Sequence, residues 1–348
     1  MVQRPSLKTL LPAQRRIITL SEDSLITTGP LQPGEPVPLV IQPAVKDVNL
    51  LSWASNNREF IEQQLLAHGA LLFRNFNLSS VAEFEQFITA ISGQLLEYTY
   101  RSTPRTQLSG GIYTSTEYPA NEEIPLHNEM SYARTWPTRI FFFCLNTAAT
   151  GGETPIADSG KVFERIDPAI REMFSNKKVM YVRNYGDGVD LPWHQVFNTR
   201  SKATVEDYCR EVGMEFQWKS GGGLKTWQTC QAVAIHPKTG RSVWFNQAHL
   251  FHVSALAKQI HNSLLEEFAE EELPRNALFG DGSPIEVSLL DEIRRAYSES
   301  EIVFDWQEHD ILMLDNMQVA HGRRPYTGPR RIVVGMSEPY STNTPRAR

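Results

Sequence analysis

The sequence predicts a mainly β protein with flanking helices, a sandwich or barrel formed by one elaborated domain. Three observations lead there. Beyond Gly111, short apolar runs follow one another, among them RIFFFCLNTA, TPIAD, VMYVRNYG, MEFQWKS, QAVAIHP, RSVWFNQ, EIVFDW, DILMLDN and RIVVGMSEP, mostly bounded by Gly, Pro, Asn or Asp. Helical periodicity is confined to a few segments between and before them. A 348-residue chain that is 41% hydrophobic can also bury a large core.

In chain order, residues 29–44 (GPLQPGEPVPLVIQPA) are too rich in proline for a helix interior and should run extended across the surface. They mark residues 1–44 as an N-terminal extension and 45–348 as a single domain. From Asp47 to His68, Leu50, Trp53, Phe60, Ile61 and Leu65 recur at helical spacing, and Gly69 is a natural stop. The strand ALLFRNF follows, then an amphipathic helix over 79–92 with Val81, Phe84, Phe87 and Ile88 on one face. Further helices are expected near 160–176, 204–213, 250–272 and 285–298. The glycine-rich SGGIY and SGGGLK lack a GK[ST] ending and read as loops that could act as lids.

The net charge of −6 and the scattered basic residues exclude the positive stripe that a phosphate backbone requires, so nucleic acid is not an expected partner. No run approaches the roughly 20 apolar residues of a membrane span, and no secretory core is present, so a soluble, cytoplasmic protein is expected. Arg4, Lys8, Arg15 and Arg16 read as a polar tail rather than a transit peptide. Cys144, Cys209 and Cys230 form no CxxC or CxxH pattern and are read as small buried hydrophobes in a reducing compartment.

The chemistry concentrates in IPLHNEMSYARTWPTRIFFF. Pro125 biases Ile124 toward extended geometry, so His127 and Glu129 should sit on extended chain, where residues i and i+2 point to one side. An HxE pair alone is a weak signal. It gains weight from HDILMLDNMQVAHGRRPYTGPRRIVV, where an apolar strand ends at a turn pair, Asp315-Asn316, and His321 follows. Two histidines and a carboxylate can form a facial triad on iron(II), leaving open positions for a bidentate 2-oxo acid and dioxygen. The far carboxylate of such an acid needs a guanidinium fork. Arg331 is the expected donor, on the same strand face as Val333 and Gly335, with Arg330 pointing the other way.

With these pieces assembled, the chain resembles the TauD/TfdA superfamily of iron(II)- and 2-oxoglutarate-dependent dioxygenases over most of residues 40–340, through GALLFRNF, LHNEMSY, GGETPIAD, the DN…H stretch and PRRIVV. The resemblance implies a double-stranded β-helix, a cupin-like jelly roll with the triad in its mouth. It implies His127, Glu129 and His321 as metal ligands, with Thr154 and Arg331 holding 2-oxoglutarate. The cofactors are then Fe(II), 2-oxoglutarate and O₂, and the reaction is oxidative decarboxylation to succinate coupled to hydroxylation of an unactivated carbon. Family members often carry a further arginine where this chain has Gly335, so a substrate contact cannot be carried over there. Glu129 argues against halogenating relatives, which have a small residue at that position. The pattern HNEMSYA with GGETPIAD and RNYG most resembles SyrP-like hydroxylases of nonribosomal peptide pathways, which implies an amino acid, free or carrier-protein-tethered, as substrate in secondary metabolism.

Glu123 and His194 are the candidates for touching that substrate. His249 and His252 could share a helix face but have no acid or cysteine beside them and are read as structural. His68, His236, His261 and His309 are isolated. Rival readings are an oxygenase of another small molecule, a zinc hydrolase or lyase, and a non-catalytic cupin-like binding protein. A clamp for a far carboxylate argues against the last two.

Overall fold

The computed structural model describes residues 25–96, 106–115, 118–186 and 191–342. The basic residues of the N-terminal tail lie outside this range. An eight-stranded sheet takes its strands in the order Ile26–Gln32, Glu35–Pro43, Ala70–Phe73, Ile311–Asp315, Thr135–Asn146, Arg331–Ser341, Ile112–Thr114, Gln107–Ser109. A four-stranded sheet, Glu301–Ile302, Ile156–Asp158, Val319–Arg323 and Ile124–His127, faces it. Ile140, Phe142, Leu312, Leu314, Ile332 and Val334 of the large sheet meet Ile156 and Val319 of the small one in a shared core. The result is the expected double-stranded β-helix with flanking helices.

The other face of the large sheet is covered by helices Leu50–Asn56, Arg58–His68 and Val81–Ser92, whose Trp53, Leu65, Phe84 and Phe87 pack on Phe141, Phe143, Met313 and Val333. Phe84 stacks on Phe143 with ring centroids 5.1 Å apart. Burying each such side chain is worth about 1.5–3 kcal/mol. Ser80 and Glu83 form a capping box that starts the third helix. The helix expected over 47–68 is broken at Asn57, whose side-chain amide donates to the Trp53 carbonyl. Gly69 ends it in the left-handed region at φ 73°, and a Cβ there would meet Val319 Cγ2 at 2.7 Å.

Several expectations need correction. The proline-rich segment is extended but is not outside the domain: Glu35–Pro43 pairs in parallel with Ala70–Phe73, so residues 26–43 form the edge of the large sheet. Proline is tolerated there because Pro30 is on the edge strand, Pro33 is in the turn, and Pro36, Pro38 and Pro43 fall outside Leu39–Ile41, the part of the second strand that pairs with Ala70–Phe73. SGGIY and SGGGLK are the turns of two hairpins rather than free loops. The second hairpin's returning strand, Leu224–Cys230, is too polar to read as a strand from sequence; its alternate residues are buried in a separate four-stranded sheet. The 250–272 segment is divided into Ala248–Phe251, Lys258–Glu267 and short 3₁₀ turns. No helix among the described residues is long and apolar enough to cross a membrane. Cys144, Cys209 and Cys230 are buried thiols, as expected.

One buried ionic cluster fixes the route between the two sheets. Arg139 reaches Asp315 at 3.0 Å and Glu62 at 2.8 Å, and His236 lies 3.1 Å from Asp315. The other Asp315 oxygen accepts from the Met317 and Gln318 amides, closing the turn that carries the chain from Ile311–Asp315 into Val319–Arg323.

Candidate active site

The two candidate histidines are brought together by strand register. His321 pairs directly with His127 across adjacent antiparallel strands of the small sheet, and their ring centroids are 4.6 Å apart. The sequence places His127 on extended chain, and it ends the strand Ile124–His127; the strand of His321 is not evident there, since His321 reads as following a turn. His127 Nδ1 lies 2.8 Å from the Pro125 carbonyl. A carbonyl can only accept, so Nδ1 carries the proton and Nε2 presents its lone pair, the arrangement a metal-binding imidazole needs.

Glu129 lies beyond the strand, in a turn where Met130 adopts φ 56°. Its position is therefore not a consequence of strand alternation. The Asn316 side chain holds it instead, accepting from the Glu129 amide at 2.8 Å and donating to the Glu129 carbonyl at 2.9 Å. Asn128 braces the turn by donating to the Asn316 carbonyl and to Ser159 Oγ, and Gln247 donates to the Asn128 carbonyl. One ligand atom from each of His127, Glu129 and His321 lies within 4.8 Å of the other two. A buried carboxylate and two imidazoles at that separation suit an oxygen- and nitrogen-loving divalent ion such as iron(II).

A pocket beside this group is lined by Ser115, Ile124, Phe142, Thr154, Arg323, Arg330 and Ile332 together with both histidines. Thr154 lies on this pocket, whereas Arg331, the expected arginine, is exposed and its neighbour Arg330 lines the pocket instead. Ile332 and Val334 face the interior between the sheets, whereas Val333 faces the helices. Both faces of this strand are covered, so both alternate sets of residues are apolar and the pattern does not reveal which is inner.

Arg330 runs over Gly152, donating from Nε to the Gly152 carbonyl at 2.8 Å. A Cβ on Gly152 would lie 2.9 Å from Arg330 Cδ, so this glycine is required for the approach. Burial, with Arg323 nearby, lowers the Arg330 pKa to about 10, still cationic at neutral pH. Among the described residues no carboxylate forms an ion pair with it. Arg323, two residues beyond His321, donates to the main-chain carbonyls of Tyr118, Pro119 and Glu122, tying down the segment that leads into His127.

The two expected substrate residues lie elsewhere. Glu123 is exposed and does not line the pocket, and His194 lines a separate cleft of about 440 Å³ with Tyr185, Trp193 and Gly221–Gly223. His249 and His252 are structural, as expected. His249 lies with Nε2 2.9 Å from the Leu126 carbonyl, and burial lowers its pKa to about 3, so it is neutral.

The family model for the taurine catabolism dioxygenase TauD, TfdA family matches residues 28–337. The chain belongs to the TauD/TfdA family. It is accordingly an iron(II)- and 2-oxoglutarate-dependent dioxygenase. Its relatives include the dapdiamide synthesis protein DdaC of Enterobacter agglomerans, 37% identical over 310 residues, covering 89% of this chain and 94% of DdaC. A clavaminate synthase-like protein of Arabidopsis thaliana is 29% identical over 322 residues, covering 87% and 94% of the two chains. Among solved structures, PvcB of Pseudomonas aeruginosa superimposes with a TM-score of 0.54 at 14% identity, covering 91% of this chain and 93% of PvcB. At that identity the likeness concerns the fold.

Proposed function

We propose that this dioxygenase hydroxylates an unactivated carbon of an amino acid in secondary-metabolite biosynthesis, with His127, Glu129 and His321 as iron ligands and Thr154 and Arg330 as the 2-oxoglutarate clamp. The observation that carries the proposal is the pocket itself. It joins a partly buried guanidinium, without a carboxylate partner among the described residues, to the two histidines of the triad. A desolvated cation is costly unless an anion completes it, and a dicarboxylate bound at the metal would do so.

Iron(II) and 2-oxoglutarate bound there would supply the oxidising power, one atom of dioxygen passing into succinate as the 2-oxo acid loses CO₂ and the other being inserted into a substrate C–H bond. The protein's part is positioning. Arg330 offers a fork of donors and Thr154 a hydroxyl to the far carboxylate, while Ile124, Phe142 and Ile332 line the pocket with apolar surface and limit water. Asn316 holds the Glu129 main chain at both its donor and its acceptor, so the carboxylate is presented without a search over backbone conformations.

Support for a place in secondary metabolism comes from a relative: DdaC, 37% identical, is named for dapdiamide synthesis. Presentation on a carrier protein is the finer reading. The cleft at Trp193, His194 and Gly221–Gly223 is a second concave surface on which a tethering arm could lie. The test is anaerobic loading with iron(II) and 2-oxoglutarate, then exposure to air with free and carrier-loaded amino acids, with mass spectrometry of the products. Succinate formation coupled to a gain of one oxygen by an amino acid is expected. Stimulation only by an unrelated acceptor, such as a small sulfonate, would refute the substrate class.

A further inference from the structure

The wall of the pocket behind Thr154 contains a residue that neither motif nor spacing singled out. Trp306 donates from Nε1 to Thr154 Oγ1 at 3.0 Å, and both groups are buried. An indole nitrogen can only donate, so the threonine oxygen must accept. That commits one of its lone pairs and removes one of the positions its hydrogen could occupy. A hydroxyl that accepts a hydrogen bond also becomes a stronger donor through its own hydrogen. Among the described residues no protein acceptor takes that hydrogen, and Thr154 lines the pocket. Arg330, on the same pocket, has donors only.

Trp306 is held rigidly for this task. Arg74 donates to the Asp305 carbonyl on one side of it and to the Asp310 carboxylate on the other. Asp310, fully buried, also accepts from the Gln307 amide, and its carbonyl accepts from Cys144. The Phe304 ring packs against the indole at 5.3 Å. The loop therefore anchors the tryptophan from both flanks while the indole reaches inward to a single hydroxyl.

We propose that Trp306 is a positioning residue that sets the polarity of the pocket's far end, biasing Thr154 to donate and so selecting a co-substrate ending in a carboxylate over one ending in a carboxamide. The proposal rests on Thr154 and Arg330 forming the clamp. A carboxylate presents acceptors only and satisfies both donors. A carboxamide turns an NH₂ group toward one of them and leaves two donors facing each other.

The test is calorimetric titration of the full-length protein, loaded with Mn(II) under anaerobic conditions, with N-oxalylglycine and with N-oxalylglycinamide. These probes differ in the terminal group alone. The wild type should prefer the carboxylate strongly. Trp306→Phe should weaken N-oxalylglycine about fivefold, a neutral hydrogen bond's worth, while N-oxalylglycinamide binds as well as before or better, because the freed hydroxyl can turn to accept. Thr154→Val should itself lower the discrimination, and in that background Trp306→Phe should change it no further. A purely structural role for Trp306 would weaken both probes in parallel and overturn the proposal, as would an unchanged ratio in either single variant. Thr154→Val keeps the test decisive if Trp306→Phe does not fold. Failure of the wild type to bind N-oxalylglycine at all would instead overturn the clamp reading beneath it.

Discussion

Replacing Arg330, whose guanidinium sits over the Tyr326 ring at 5.5 Å, by methionine keeps an unbranched apolar stem and removes the charge and its donors. Charge-assisted hydrogen bonds are worth about 1.5–3 kcal/mol, and each 1.4 kcal/mol is tenfold, so 2-oxoglutarate should bind roughly 10- to 100-fold more weakly. Stability should move the other way. Burial, reinforced by Arg323, lowers the Arg330 pKa from its usual value to about 10, so the folded state holds this proton less tightly than the unfolded chain. The resulting penalty is present in full below pH 10 and fades as pH rises from there toward the higher value of the unfolded chain. At about 1.4 kcal/mol per unit its upper bound is about 3 kcal/mol at neutral pH. Arg330→Met should therefore raise the midpoint of denaturant unfolding of the metal-free protein while abolishing tight 2-oxoglutarate binding. Both are read on one preparation, by chemical denaturation and by anaerobic calorimetry with Mn(II). A variant that binds 2-oxoglutarate normally, with Arg331→Ala defective instead, would refute the assignment of the pocket.

The remaining expectations concern the metal and its supports. His127→Ala, Glu129→Ala or His321→Ala should each abolish stoichiometric metal binding, measured by elemental analysis after gel filtration, with the circular dichroism spectrum retained; full turnover by Glu129→Ala would exclude the triad. Asn316→Ala removes both bonds to the Glu129 main chain and one to the Pro137 carbonyl, and should lower stability by roughly 2–4 kcal/mol and weaken metal binding, so unchanged metal affinity would show that the turn holds itself. Burial pushes the Asp315 carboxyl upward, but the His236 hydrogen bond and the Arg139 charge outweigh it and hold the pKa below 3.8. Its contribution is thus complete above the unfolded pKa of about 3.9 and is lost as pH falls through the lower folded value. Asp315→Asn should be destabilised at pH 7 and lose less stability than the wild type below pH 4, as read by thermal unfolding across pH.

The ligand types and the mainly β class were legible because they depend on local pattern, whereas the double-stranded β-helix came from the resemblance. The FFFC strand and DILMLD are long apolar runs between turn formers, Gly69 and Ser80 punctuate helices by their own backbone chemistry, and HxE with a distal histidine is a short list of residues able to bind iron. Thr154 came with its GGET segment, and the structure adds why Gly152 stands there: Arg330 crosses it too closely for a side chain.

Only the tertiary structure decided which arginine meets the pocket, because the helices Leu50–Asn56, Arg58–His68 and Val81–Ser92 cover the outside of the large sheet and make both faces of Arg331–Ser341 apolar. It also decided what holds Glu129. The sequence alone reads Asn316 as half of a turn pair; its second use, gripping the main chain of a residue far away in sequence, exists only once the ends of two strands meet. Glu123 and His194 are plausible by composition and neighbourhood, yet one is exposed and the other faces a different cleft. Local chemistry determined which side chains this protein has available for iron, whereas the direction each one points is set by strand register and by what covers each sheet face, which are non-local quantities.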